Sequence, residues 1–168
     1  MTFILGLLML SCEIAPELDA IQLQPEPIGL AECAVCGMVV GEQPSPRGQL
    51  AYRDGTHSFT CSIEEARALA TAPGPLGRPV ATWVEELPPD FDWRQTDVVA
   101  LDWIPAADAY FVFGAERRLV MGVPVLTYGD VGEASRISDE LGTVPVAWQA
   151  LLSTPVPDVP PQSEKEIP

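Results

Sequence analysis

The sequence predicts an α+β fold made of two related strand–strand–helix–strand halves packed together. Three observations predict it. Two capping-box patterns, Ser62-Ile63-Glu64-Glu65 and Asp130-Val131-Gly132-Glu133, each open a stretch with apolar residues at helical spacing. A hairpin-like run precedes each stretch. A Pro-Val-Ala segment leading to a tryptophan follows each: Pro79 to Trp83, and Pro145 to Trp148. Matching caps, turns and tryptophans together point to a duplicated unit.

In the first half, Gly48 to Arg53, an Asp54-Gly55 turn and Thr56 to Cys61 read as a hairpin. Ser62 then offers its hydroxyl to free helix N–H groups while Glu65 reaches back, and Ile63, Ala66 and Leu69 form the apolar face. In the second half, Asp108 to Phe113 and Leu119 to Tyr128 read as the two strands. Val131, Ala134, Ile137 and Leu141 follow as the helical face. A connector around Glu86 to Asp97, containing Pro88-Pro89, divides the copies. The expected organisation is a signal peptide over 1–11, a tether over 12–31, one half over 32–90, the other over 91–152, and a disordered tail over 153–168. Trp83, Trp93, Trp103, Trp148, Tyr110, Phe111 and Phe113 are expected in the core.

The N-terminus reads as an export signal. Phe3 to Leu10 is a short apolar run, about 12 Å long as a helix, against the roughly 30 Å of a bilayer core. Its ending, Met9-Leu10-Ser11-Cys12, resembles a bacterial lipobox, which makes Cys12 the expected lipidation site. The Pro- and acid-containing stretch after it suits a tether holding the domain off a membrane. A net charge of −15 speaks against nucleic acid, since phosphate neutralisation needs clustered Lys and Arg. It speaks equally against docking on anionic lipid through a basic patch.

With Cys12 lipidated, Cys33, Cys36 and Cys61 remain. An odd number is a poor disulfide framework in an exported chain, so at least one thiol is expected to have a chemical task. The strongest local motif is Cys33-Ala34-Val35-Cys36-Gly37-Met38. Two thiolates at this spacing converge on one side of a tight turn. A thioether at Met38 suits Cu(I), which is soft, better than Zn²⁺. A closed zinc site would want four ligands, and no second CxxC is present. A redox-active or stapled Cys33/Cys36 pair and a zinc site stay open as alternatives on residue types alone. His57, the single histidine, lies on the strand leaving the Asp54-Gly55 turn; it is a candidate ligand, or an ordinary hydrogen-bonded histidine. Cys61 reads as a small buried apolar residue. A Cys61/His57 nucleophile has no third group to orient it. No Ser-His-acid order, phosphate loop or basic stripe is present, and a catalytic function is not expected.

Cys33 to Val40 with its Cys-Gly-Met step, Tyr52-Arg53-Asp54-Gly55, Ala109 to Gly114, and Val120-Met121-Gly122 resemble the NosL family. These are lipoprotein copper chaperones associated with maturation of nitrous oxide reductase. The resemblance covers roughly residues 32–142. It implies a Cu(I)-binding protein on the periplasmic face of a bacterial membrane, held there by its lipid anchor, with two related halves. It implies a copper site joining Cys36 to Met121. It also implies nitrous oxide reductase or its membrane assembly complex as the recipient. Members of the family often carry a His before a Gly near the end of the second helix, where this chain has Glu140-Leu141-Gly142. The third ligand then falls to Cys33, Met38 or His57. The rival readings are a periplasmic thiol–disulfide protein using Cys33 and Cys36, and a non-metal structural lipoprotein.

The lipobox has a direct test. Cys12→Ala is expected to yield a soluble or uncleaved form with unaltered copper stoichiometry, since stable anchoring needs more than one acyl chain. Fractionation and intact-mass measurement read this. A variant that stayed anchored but lost copper would refute the assignment.

Overall fold

The structure, a computed structural model, describes residues 23–72, 74–95, 97–116 and 123–153. Cys12 and Met121, like the signal segment and most of the tail, lie outside the described residues.

The first half begins with strands β1 (Gly48–Ala51) and β2 (His57–Thr60). They pair antiparallel, with Gly48 opposite Thr60 and Ala51 opposite His57. The turn forms where the sequence places it. Gly55 adopts a φ of 84°, open to glycine at little cost, and Asp54 Oδ1 accepts from the Thr56 N–H. Helix α1 (Ile63–Thr71) follows, and β3 (Ala81–Glu85) returns to lie against β1. The second half repeats this order with β5 (Tyr110–Val112), β6 (Leu126–Tyr128), α2 (Val131–Leu141) and β7 (Val146–Ala147). In both halves the first strand is central: β2-β1-β3 in one sheet and β6-β5-β7 in the other. The expected α+β fold of two strand–strand–helix–strand halves is thus the fold observed.

Two elements go beyond the sequence reading. Strand β4 (Trp103–Pro105) joins the edge of the first sheet beside β3, although it lies past the connector. Trp148 does not end a strand; it opens α3 (Trp148–Ser153) and packs on Phe111, ring centroids 5.5 Å apart. A contact also reaches the stretch read as a tether. Glu26 exchanges two 2.8 Å hydrogen bonds with the fully buried side-chain amide of Gln49. A primary amide donates and accepts at once, so it holds a passing backbone as a strand neighbour would.

The helix starts follow the cap logic in part. Ser62 Oγ accepts from the Glu65 N–H at 3.3 Å and Asp130 Oδ1 from the Glu133 N–H at 2.8 Å. The reciprocal arm differs from the standard box. Glu65 bonds one residue further back, to the Cys61 N–H, and Glu133 turns to Arg136. Val131, expected on the apolar face, is exposed at the first turn, whereas Ala134 and Ile137 are buried.

The halves share one core. Ile63, Val84, Phe111, Val125, Trp148 and Leu151 form it, drawn from both sheets and from α1 and α3. Alternation along β5 turns Phe111 into this cluster and Val112 into a second one under α2, with Leu126, Ala134 and Ile137. Trp93 closes that second cluster, as expected of a core tryptophan, while Trp103 is only half-buried. Helix α1 lies close on β1 because Gly48 has no side chain: a Cβ there would stand 2.6 Å from Ala66 Cβ and from Thr60 Oγ1.

A buried ion pair joins these pieces. Glu85 Oε2 accepts from Arg47 Nε at 2.7 Å and from the Arg47 backbone N–H at 2.9 Å. Glu85→Ala is expected to cost about 3–5 kcal/mol, because it leaves a buried guanidinium unpaired. The double change Arg47→Met with Glu85→Leu should cost less than Glu85→Ala alone. Urea unfolding of the two variants checks this order.

Candidate metal centre

The Cys33–Met38 segment forms a tight loop on the first sheet. The Cys33 N–H donates to the Met38 carbonyl at 2.8 Å, and the Gly37 N–H to the Cys33 carbonyl at 2.9 Å. Gly37 holds a φ of 75°, a left-handed conformation that closes the loop and that other residues adopt at a cost. The Ala34 N–H donates to the Phe59 carbonyl of β2. This bond lays the loop beside the end of β2, where the chain passes through Cys61 into α1.

Cys33, Cys36, Cys61 and Glu65 therefore meet. Their ligand atoms all lie within 4.8 Å of one another. Cys36 Sγ stands 3.7 Å from Cys61 Sγ, and the Cys33 thiol donates to Glu65 Oε2 at 3.3 Å. The same oxygen accepts from the Cys61 N–H at 2.9 Å. Glu65 Oε1 is buried and has no hydrogen-bond partner among the described residues. Cys33 and Cys61 are buried with Val40 and Phe59, while Cys36 is half-exposed and Met38 packs against the cluster from outside. Cys36 is thus the least buried of the three thiols.

Burial raises the Cys36 thiol above its ordinary value; the Met38 N–H opposes that rise, and Cys33 and Glu65 add to it. Burial, then contact with Cys36, pushes the Cys61 thiol far up. A cation binding these thiols would have to displace their protons. The donor set fits a soft ion. Three sulfurs converge, and an unsatisfied carboxylate oxygen, which buried groups rarely leave unpaired, lies beside them.

Of the sequence-derived candidates, the structure brings Cys33 and Cys36 together and packs Met38 beside them. It does not bring in His57. That ring stacks on Trp83 at 6.0 Å, and Nδ1 is 3.1 Å from Gln49 Oε1. Met121 lies outside the described residues. Sequence reasoning missed Cys61 and Glu65 as site residues. Cys61 resembled a core filler, and Glu65 was accounted for as a capping residue. The available signal was their spacing across the helix cap, which puts a thiol and a carboxylate on the same side of one N-terminus.

The fold and the cluster define a class: an α+β protein of duplicated ββαβ halves with a thiol-rich site in the first. The chain belongs to the NosL family, whose model matches residues 27–150. It is 26% identical over 125 residues to the copper-binding lipoprotein NosL of Stutzerimonas stutzeri, a match spanning 73% of this chain and 64% of that relative. Its fold is similar to the crystal structure of the copper chaperone NosL from Shewanella denitrificans, with a TM-score of 0.63 at 21% identity over 75% of this chain and 93% of that one. Among the described residues no helix is long and apolar enough to cross a membrane.

The thiol environment is testable in the metal-free protein. Cys36 should alkylate with an apparent pKa above that of an ordinary thiol. Glu65→Gln removes a negative charge beside the forming thiolate, so it should lower that pKa and speed alkylation at fixed pH. Rates of iodoacetamide modification across pH, mapped by mass spectrometry, check the sign.

Proposed function

We propose that the chain is a Cu(I)-binding accessory protein that carries copper for the maturation of nitrous oxide reductase. It does so without catalysing a reaction, exported and lipid-anchored through Cys12 on the periplasmic side of a bacterial membrane. The observation that carries this reading is the convergence of three thiols, Cys33 and Cys61 buried and Cys36 half-exposed. Soft sulfur donors select Cu(I) over harder ions, and a low-coordinate ion can be passed on by ligand exchange. The name of the Stutzerimonas relative, a copper-binding lipoprotein, and that of the Shewanella protein, a copper chaperone, support the same reading. The assigned ligands are Cys36, Cys33 and Met38, with Met121 from the second half as the family site implies. His57 is left to its packing against Trp83.

The raised Cys36 thiol weighs against the thiol–disulfide alternative. Redox-active CxxC pairs work with a depressed thiol pKa, set by a helix N-terminus or a neighbouring cation. Here Cys33 and Cys36 sit in a turn, and the charged neighbour is a carboxylate.

Anaerobic titration with Cu(I) should give one ion per chain and a thiolate-to-copper charge-transfer band. Cys36→Ser should weaken binding more than Met121→Leu, because a thiolate contributes charge as well as softness. Met121→Leu should fold with a stability change under about 1.5 kcal/mol, since the swap conserves volume. Tight four-coordinate zinc binding that survives loss of both Met38 and Met121 would sink the copper reading.

A further inference from the structure

We propose that Cys61 is a metal ligand, forming with Cys36 the thiolate pair that grips the ion, and that Glu65 is the positioning residue for that pair. The inference rests on the copper reading and assigns roles to two residues that the CxxCGM motif does not contain.

The first argument is distance. Two thiolates each about 2.3 Å from a shared ion stand roughly 3.8–4.0 Å apart at tetrahedral to trigonal angles. Cys36 and Cys61 already stand at 3.7 Å. An ion can sit between them with side-chain adjustment alone.

The second argument is commitment of the third thiol. Cys33 donates its proton to Glu65 Oε2, so it is the sulfur tied to another group. Cys36 and Cys61 face each other. Cys33 then remains a ligand but contributes less to the grip than the facing pair.

The third argument is Glu65 itself. It is 6% exposed, and the helix cap fixes its backbone through Ser62. Its Oε2 holds the Cys61 N–H and the Cys33 thiol together, and its Oε1 has no partner among the described residues. A carboxylate buried in this way is costly unless the site uses it. It fixes the strand–helix junction from which Cys61 projects. Cys61 is thereby a rigid, buried anchor, and Cys36, on the open turn, is the side where an ion arrives and leaves. A soft monovalent cation is then gripped within the first half alone, with sulfur from the second half as an added ligand.

The test measures Cu(I) affinity by chelator competition and the sulfur shell by copper-edge X-ray absorption, on the parent and four variants. Cys61→Ser should lose one sulfur from the shell and at least about a hundredfold in affinity, beyond the ~10–100-fold typical of outer partners. Cys33→Ser should lose about tenfold or less on the same scale. Glu65→Ala should fall within that 10–100-fold range with a disordered sulfur shell. Glu65→Gln, which keeps an acceptor for the Cys61 N–H, should restore the shell. If Cys61→Ser does not fold, Cys61→Ala carries the same measurement. Parent-like affinity and an unchanged sulfur shell in the Cys61 variant would overturn the assignment while leaving copper binding intact. A parent protein that binds no Cu(I) would instead overturn the copper reading beneath it.

Discussion

The buried pairing of Arg47 with Glu85 is the constraint on which the arrangement of the parts depends. Both side chains are nearly inaccessible, at 3% and 1% exposure. Removing two charges from water costs several kcal/mol each, which attraction repays only when the remaining donors and acceptors are satisfied. Here they are. Arg47 also donates to the carbonyls of Val40, Gln43 and Val99. The Glu85 backbone carbonyl accepts from the Thr127 hydroxyl, and the next step along, the Leu87 N–H, donates to the Thr127 carbonyl. The pair thus ties the end of the cysteine loop to the first sheet and to Val99, and the backbone beside it ties on to the second sheet. Val40, whose carbonyl it holds, is fully buried against Cys33, Phe59 and Cys61. The position of the thiols is set from behind by this network.

Around that frame the site is built from groups in mild conflict. Three thiols and a carboxylate share a recess that burial makes unfavourable for anions. Desolvation keeps protons on Cys36 and Cys61, and an arriving cation has to displace them. This tension suits a carrier. In the proposed carrier, strong sulfur donation would favour capture, the proton cost would temper it, and the half-exposed Cys36 would leave room for an acceptor's ligand.

The two halves show how one framework was put to different uses. The residue before each helix cap donates its backbone N–H to a glutamate. In the first half Cys61 donates to Glu65 of its own helix. In the second half Gly129 donates to Glu86 of the connector, at 3.0 Å. A Cβ on Gly129 would lie 2.4 Å from that carboxylate, so the place that carries a thiol in one copy is closed to any side chain in the other as Glu86 now stands. Glu133, the counterpart of Glu65, pairs with Arg136 on the surface. Among the described residues the cluster that could hold a metal belongs to the first half only.

Most of the secondary elements can be read from the chain alone, because their causes are local. Caps at Ser62 and Asp130, the Asp54-Gly55 turn and the apolar spacing of both helices act over a few residues, and the duplication made each visible twice. The sequence also singled out Cys33, Cys36 and Met38 as candidates, since they lie in one loop. What stayed hidden depended on contacts across distance. Strand β4 pairs with β3 because the first sheet has a free edge there, which no local pattern in Trp103–Pro105 announces. The docking of Glu26 depends on Gln49, and the exclusion of His57 on Trp83 and the same Gln49. Cys61 and Glu65 looked like a core filler and a cap residue, because those are the parts they also play. Only when the loop lies beside β2, held by the Ala34 to Phe59 bond, does Cys61 face Cys36 and Glu65 reach Cys33. Propensity and periodicity fix which residues form an element; which side chains meet is decided by how the elements pack, through contacts 25 and 32 residues apart in the chain.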